Sequence, residues 1–156
     1  MIEFKYNDMK ITVIGGGPGG LYFSILTKKA KPNWEITVYE RNKPDDSFGF
    51  GVVFSDETLG EFLKRDMQSY ELIRSNFAYW DDIIVARDGQ SVSVAGNGFC
   101  GCSRKTLLQL LHQRCREEGV NLHFEQNVDD LEQFSNSDII VACDGIGSQI
   151  RTQFQE

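Results

Sequence analysis

The sequence predicts an α/β fold, a doubly wound parallel sheet carrying a small β/helical insertion, and three observations predict it. A short apolar run meets a block of glycines and passes into a helical stretch; a β-branched run follows that helix; a near-continuous apolar run recurs close to the end of the 156 residues. Strands alternating with helices lie parallel, side by side, under right-handed crossovers. Composition agrees, since 40% hydrophobic and 25% charged residues suit one globular domain with enough apolar mass to bury a core.

Taken in order, residues 10–14 (KITVI) are the first strand, and 21–30 are a helix stopped by Pro32. Residues 35–39 (EITVY) form a second strand ending at Glu40, so these forty residues close a βαβ unit with parallel strands. Between about 43 and 102 the pattern changes. Ser55 offers an N-cap to a helix with Leu59, Phe62 and Leu63 on its apolar face, and 83–86 with 91–95 are short strands joined at Asp88-Gly89. This stretch reads as an insertion. Its aromatic, glycine-rich segment from Phe48 to Phe54 is either a loop beside a ligand or core packing. Ser103 then caps a periodic helix carrying Leu107, Leu108, Leu111 and Cys115 that closes at Gly119, and a strand follows over 121–124. The run 138–143 reads as a strand buried on both faces of a parallel sheet. Eleven residues follow Asp144-Gly145, too few for another strand or a second domain.

Charge and hydropathy exclude several classes of function. The net charge of -7 and pI near 4.9 speak against nucleic acid, which needs a concentrated cationic surface. No apolar run approaches the roughly 20 residues of a membrane span, and residues 1–9 are too polar for a secretory leader, so a cytoplasmic protein with a small-molecule ligand is expected. Cys100, Cys102, Cys115 and Cys143 lack the paired spacing of a zinc site and read as small hydrophobes, with no metal. His112 and His123, inside a helix and a strand, read as structural.

The chemistry lies in Gly15-Gly16-Gly17-Pro18-Gly19-Gly20, a G-x-G-x-x-G placed after a strand and at the mouth of a helix. Gly15 permits the tight turn, Gly17 lets backbone approach a pyrophosphate, and Gly20 lets helix and strand pack closely. The helix N-terminus presents unpaired N–H groups to the anion. Glu40, twenty residues past Gly20, is placed to accept the ribose hydroxyls of an adenosine and to repel a 2′-phosphate. These residues leave FAD and NAD open. Arg41, Arg104 and Asp144-Gly145-x-x-Ser148-x-x-Arg151 each have an ordinary reading as solvated charge or turn when taken singly.

Four segments carry a resemblance: VIGGGPGGL (13–21), VYER (38–41), SRKTLL (103–108) and ACDGIGSQIR (142–151). Together they resemble the class A flavoprotein monooxygenases, the p-hydroxybenzoate hydroxylase group. ERNKPDDSFGFGVVFSDETL (40–59) and FAYWDD (77–82) are similar to its salicylyl-CoA 5-hydroxylase and 2-aminobenzoyl-CoA monooxygenase branch, and more distantly to the violacein-pathway tryptophan hydroxylase. The resemblance implies a GR2-type, Rossmann-like FAD-binding domain spanning residues 1–156. It implies that Gly15, Gly17, Pro18, Gly19 and Gly20 meet the pyrophosphate, Glu40 the adenosine ribose, and Arg41 and Arg104 further parts of FAD. It also implies that Asp144 belongs to a motif touching FAD and a transient NAD(P)H.

Such enzymes carry a later Gly-Asp motif and a β-rich substrate domain, and the sequence is C-terminally truncated relative to them. A flavin ring left open to water favours peroxide release over hydroxylation, and an unpaired sheet edge invites self-association or a partner chain. Three readings follow. The first is the FAD domain of an NAD(P)H-dependent monooxygenase acting on an aromatic acyl-CoA or indole, with no catalytic acid or base assignable because the flavin does the chemistry. The second is a non-catalytic FAD- or ADP-binding subunit, and the third an NAD-dependent reductase.

Overall fold

The computed structural model describes residues 8–96 and 98–154, so most of the polar stretch at 1–9 lies outside the described residues. Two compact units divide the chain: Met1–Asp46 with Leu111–Glu156, and Ser47–Leu110.

The first unit is a four-stranded parallel sheet ordered β8-β2-β1-β9, from β1 (Lys10–Ile14), β2 (Glu35–Tyr39), β8 (Asn121–His123) and β9 (Ile139–Ala142). Register follows from the pleat. Ile11 stands opposite Ile36 and Val13 opposite Val38, so these four project to one face, and all are buried. Helix α1 (Pro18–Ala30) contributes Leu21 and Ile25, both fully buried, and α4 (Arg104–Glu118) meets it where the Cys115 thiol donates to the Leu21 carbonyl at 3.6 Å. Each such side chain contributes about 1.5–3 kcal/mol by leaving water. On the opposite face Ile14 packs with Val128, Phe134 and Ile150, the last from α5 (Gln149–Gln153).

Local chemistry sets the ends of the helices. Helix α1 begins three residues before the expected Leu21, because Pro18 sits at the first helical turn, where its missing N–H costs nothing. Ser103 caps α4 by accepting from Thr106 N at 3.0 Å. At its other end Gly119, at φ +80°, lets Val120 N donate to Cys115 O at 2.8 Å, a left-handed closure that glycine makes without strain.

The second unit holds an antiparallel sheet ordered β3-β7-β4, from β3 (Gly51–Ser55), β7 (Phe99–Ser103) and β4 (Ala78–Trp80). It also holds α2 (Asp56–Arg65), α3 (Met67–Asn76) and the hairpin β5 (Ile83–Arg87) with β6 (Gln90–Val94). The hairpin turns on Asp88 and Gly89, both at positive φ, as a two-residue connection requires. Asp66, 1% exposed, receives Ser69 N at 3.3 Å and Ser69 Oγ at 2.5 Å on Oδ2 and so caps α3. Asp66→Ala is expected to destabilise the protein by about 1–2 kcal/mol and to lower Tm by several degrees, with Asp66→Asn recovering most of it in thermal denaturation.

Several expectations are corrected. The run 138–143 is not buried on both faces: β9 is the sheet's edge and Ile139 is 40% exposed, since β1 is its sole neighbour among the described residues. The segment Phe48 to Phe54 divides: Phe48 and Phe50 are exposed, while Phe54, in strand β3, is half-buried and packs against Phe62 and the buried Phe77. Of the apolar face expected on α2, Leu59 is buried but Leu63 is 40% exposed.

Candidate functional site

The carboxyl ends of parallel strands are where an open α/β sheet binds ligands, at the point where strand order reverses. Here that point lies between β1 and β9, with the end of β2 on the other side of β1. A cavity there is lined by Gly15, Tyr39, Arg41, Gln126, Asn127, Val128, Asp144 and Gln149. At about 30 Å³ it admits only water-sized groups, so a nucleotide would lie across its mouth.

The glycine turn forms one wall. Gly15, at φ +105°, lies against β9: a Cβ there would stand 2.4 Å from the Cys143 carbonyl oxygen. A Cβ on Gly20 would stand 2.3 Å from Gly15 O. These two positions are therefore closed by the protein itself. Gly17 and Gly19 differ, because a Cβ on either meets nothing within 4 Å. No side chain caps α1 at Gly17, so the first-turn N–H groups of Gly19 and Gly20 have no intrahelical acceptor, while Pro18 fixes the turn without contributing a donor. An open, side-chain-free rim with unpaired donors and a positive dipole end fits a pyrophosphate.

Glu40, at the tip of β2, is tied to this turn. Its Oε2 accepts Gly16 N at 2.7 Å, and its Oε1 accepts Asn42 N at 2.8 Å and Asn42 Nδ2 at 2.6 Å. The loop is pinned to the segment after β8, with Glu40 N donating to His123 O, Gln126 N to Glu40 O and Glu125 N to Asn42 O. Arg41 is exposed and lines the cavity, with no carboxylate partner among the described residues. Asp144 stands on the other side of β1. Partial burial raises its carboxyl pKa, but donation from Ser148 Oγ at 2.7 Å and from nearby backbone N–H groups outweighs this and holds it below the usual carboxylate range. The neighbouring Cys143 thiol is pushed up by burial and by that carboxylate, so it is a poor nucleophile.

The structure thus brings together Gly15, Gly17, Pro18, Gly19, Gly20, Glu40, Arg41 and Asp144 in the first unit. Arg104 belongs to the second unit, at the start of α4, where its N–H donates to Phe50 O at 3.4 Å and its side chain lies beside Gly49. Sequence reasoning missed Gln126, Asn127, Val128 and Gln149. The one signal available was position, since the first three follow the third parallel strand at its carboxyl end.

Beneath the Glu40 loop, His112 is 4% exposed, lies edge-on to Phe124 at 4.9 Å, and has no partner for Nε2 among the described residues. Burial and then Arg116 lower its pKa, against the opposing pull of Glu40 and Asp45. The unfolded chain, with His near 6.5, takes up a proton that the native state refuses. Stability is therefore fully present above about pH 6.5 and falls as pH drops from there toward the native pKa. Urea midpoints at about pH 7.5 and 5.5 are expected to differ less in His112→Leu than in the parent.

A parallel sheet with an open glycine turn clamped to a strand-end carboxylate is the arrangement of the dinucleotide-binding class of α/β folds. The chain belongs to the lycopene cyclase protein family, whose sequence profile matches residues 10–154. Its curated relatives are hydroxylases and monooxygenases, in line with the resemblance to the class A flavoprotein monooxygenases. It is 45% identical over 95% of its length to a salicyloyl-CoA 5-hydroxylase of a Streptomyces species, covering 29% of that protein. It is 33% identical over 92% of its length to a 3-hydroxy-4-methyl-anthranilyl-[aryl-carrier protein] 5-monooxygenase of Streptosporangium sibiricum, covering 40% of it. The protodeoxyviolaceinate monooxygenase of Chromobacterium violaceum is 31% identical over 88% of the chain, which covers 38% of that enzyme. Among solved structures, 2-methyl-3-hydroxypyridine-5-carboxylic acid oxygenase superposes with a TM-score of 0.80 at 21% identity, over 95% of this chain and 42% of its own; that likeness concerns the fold. The chain spans less than half the length of each of these proteins. Among the described residues no helix is long and apolar enough to cross a membrane.

Proposed function

We propose that this chain is the FAD-binding part of an NAD(P)H-dependent monooxygenase that hydroxylates an aromatic acyl-CoA or related aromatic substrate, on a GR2-type, doubly wound FAD-binding fold. The observation that carries the proposal is the glycine rim open at Gly17 and Gly19 and joined through Gly16 to Glu40. In this reading the rim holds the FAD pyrophosphate, Glu40 holds the adenosine ribose, Arg41 and Arg104 offset phosphate charge, and Asp144 orients the cofactor from the far side of β1. Bound FAD supplies the reducing and oxygen-activating chemistry. The chain's own groups bind and orient it, and the inert Cys143 and buried His112 add no acid or base.

Fold alone does not set the reaction, and the lycopene cyclase profile covers residues 10–154 as well. Hydroxylation is favoured over cyclisation by the 45% identity to a salicyloyl-CoA hydroxylase across nearly the whole chain. A second reading, an FAD-binding subunit active only with a partner chain, draws on the exposed edge strand β9. Absorbance titration of the purified protein with FAD tests the reading shared by both. A flavin spectrum saturating near one per chain is expected; a folded protein that leaves FAD free and binds NADH instead would overturn it in favour of a reductase.

A further inference from the structure

An ionised carboxylate offers about four acceptor directions, and Glu40 has three filled: one by Gly16 N, one by Asn42 N and one by Asn42 Nδ2. A ribose diol needs two. Gly16 N and Asn42 N are backbone donors, and the Asn42 backbone is held from its other side, where Glu125 N donates to Asn42 O at 3.1 Å. The side-chain amide is the sole donor of the three that can leave by rotation about its own bonds.

Resting on the flavin reading, we infer that Asn42 is a positioning residue whose amide stands in for one ribose hydroxyl before the cofactor arrives and is displaced when both hydroxyls bind Glu40. Until a ribose engages Glu40, it aims the carboxylate and fills an acceptor that would otherwise recruit water. On binding, that short charge-assisted contact is exchanged for a ribose O–H, so affinity for a ribose diol is set below what Glu40 could deliver alone. A ribose with one hydroxyl uses the fourth, free direction and disturbs nothing.

The test compares ADP with 2′-deoxy-ADP as probes, by calorimetric titration of the parent and of Asn42→Ala, with FAD as a third ligand. Removing the competing amide is expected to tighten ADP and FAD by about three- to tenfold and to leave 2′-deoxy-ADP unchanged. Asn42→Ser, which keeps a hydroxyl donor on a shorter arm, is expected to fall between. Equal change for ADP and 2′-deoxy-ADP, or none for either in a variant that melts like the parent, would overturn the inference, because a purely structural Asn42 moves both ligands together. A folded parent binding neither ADP nor FAD overturns the flavin reading itself, a result distinct from a variant that binds both ligands as the parent does.

Discussion

Gly15→Ala is expected to cost at least about 3 kcal/mol of stability, while Gly17→Ala, two residues on, is expected to leave the fold within about 1 kcal/mol of the parent and abolish tight flavin binding. The two positions look alike in the sequence and differ in what surrounds them. Gly15 has a φ of +105°, and its Cβ would meet the Cys143 carbonyl at 2.4 Å and Asp144 N at 2.8 Å. Those atoms are backbone of the neighbouring strand end and cannot swing aside, so strain and clash add. Against a total stability of roughly 5–15 kcal/mol, that loss is large. Gly17 has φ -74° and ψ 172°, a conformation any residue adopts, and its Cβ would point into empty space. That space is the approach a pyrophosphate needs. Paired thermal denaturation and FAD titration of both variants check this, and similar melting temperatures for the two would contradict the closed-and-open division of the turn.

The same contrast shows what was legible in the sequence. Period, cap and stop residues announced β1, β2, α4 and β8, because each carries its own signal: β-branched runs, the Ser103 cap, Gly119 at the close. The sheet order could be inferred only in outline, since neighbours in a parallel sheet are chosen by packing between distant segments. Strand β7 (FCGCS) has no strand-like composition and forms because β3 and β4 pair on either side of it; pairing of this kind leaves no local trace. Helix α3 was hidden for a different reason: its start depends on Asp66, a buried cap shared with the end of α2. In the site, the glycines and Glu40 were visible because their residue types are demanded by the geometry. Gln126, Asn127 and Val128 were not, because they line the cavity from a loop whose position follows from β8 alone. Asn42 carries no residue-type signal of its own, and its tie to Glu40 emerges only when the strand tip is seen in three dimensions.

Glu40→Gln is expected to destabilise the protein almost as much as Glu40→Ala, by about 2 kcal/mol, and both are expected to weaken flavin binding by roughly a hundredfold. If the side chain served only ribose hydroxyls, an amide would be a tolerable substitute, since hydroxyls can also accept. The structure sets a harder condition. All three groups facing the carboxylate are N–H donors, and a glutamine must turn its own NH2 toward one side. Either the buried Gly16 N–H or the Asn42 pair then confronts another donor, and an unmet buried donor costs about 1–3 kcal/mol. The loss reaches the cofactor too, because Gly16 lies inside the glycine turn and a loosened Gly16 lets the rim at Gly17 drift from its binding geometry. Chemical denaturation and FAD titration read the two effects separately. A glutamine variant as stable as the parent that loses only flavin affinity would show that the carboxylate serves the ribose alone and that the turn holds its shape without it.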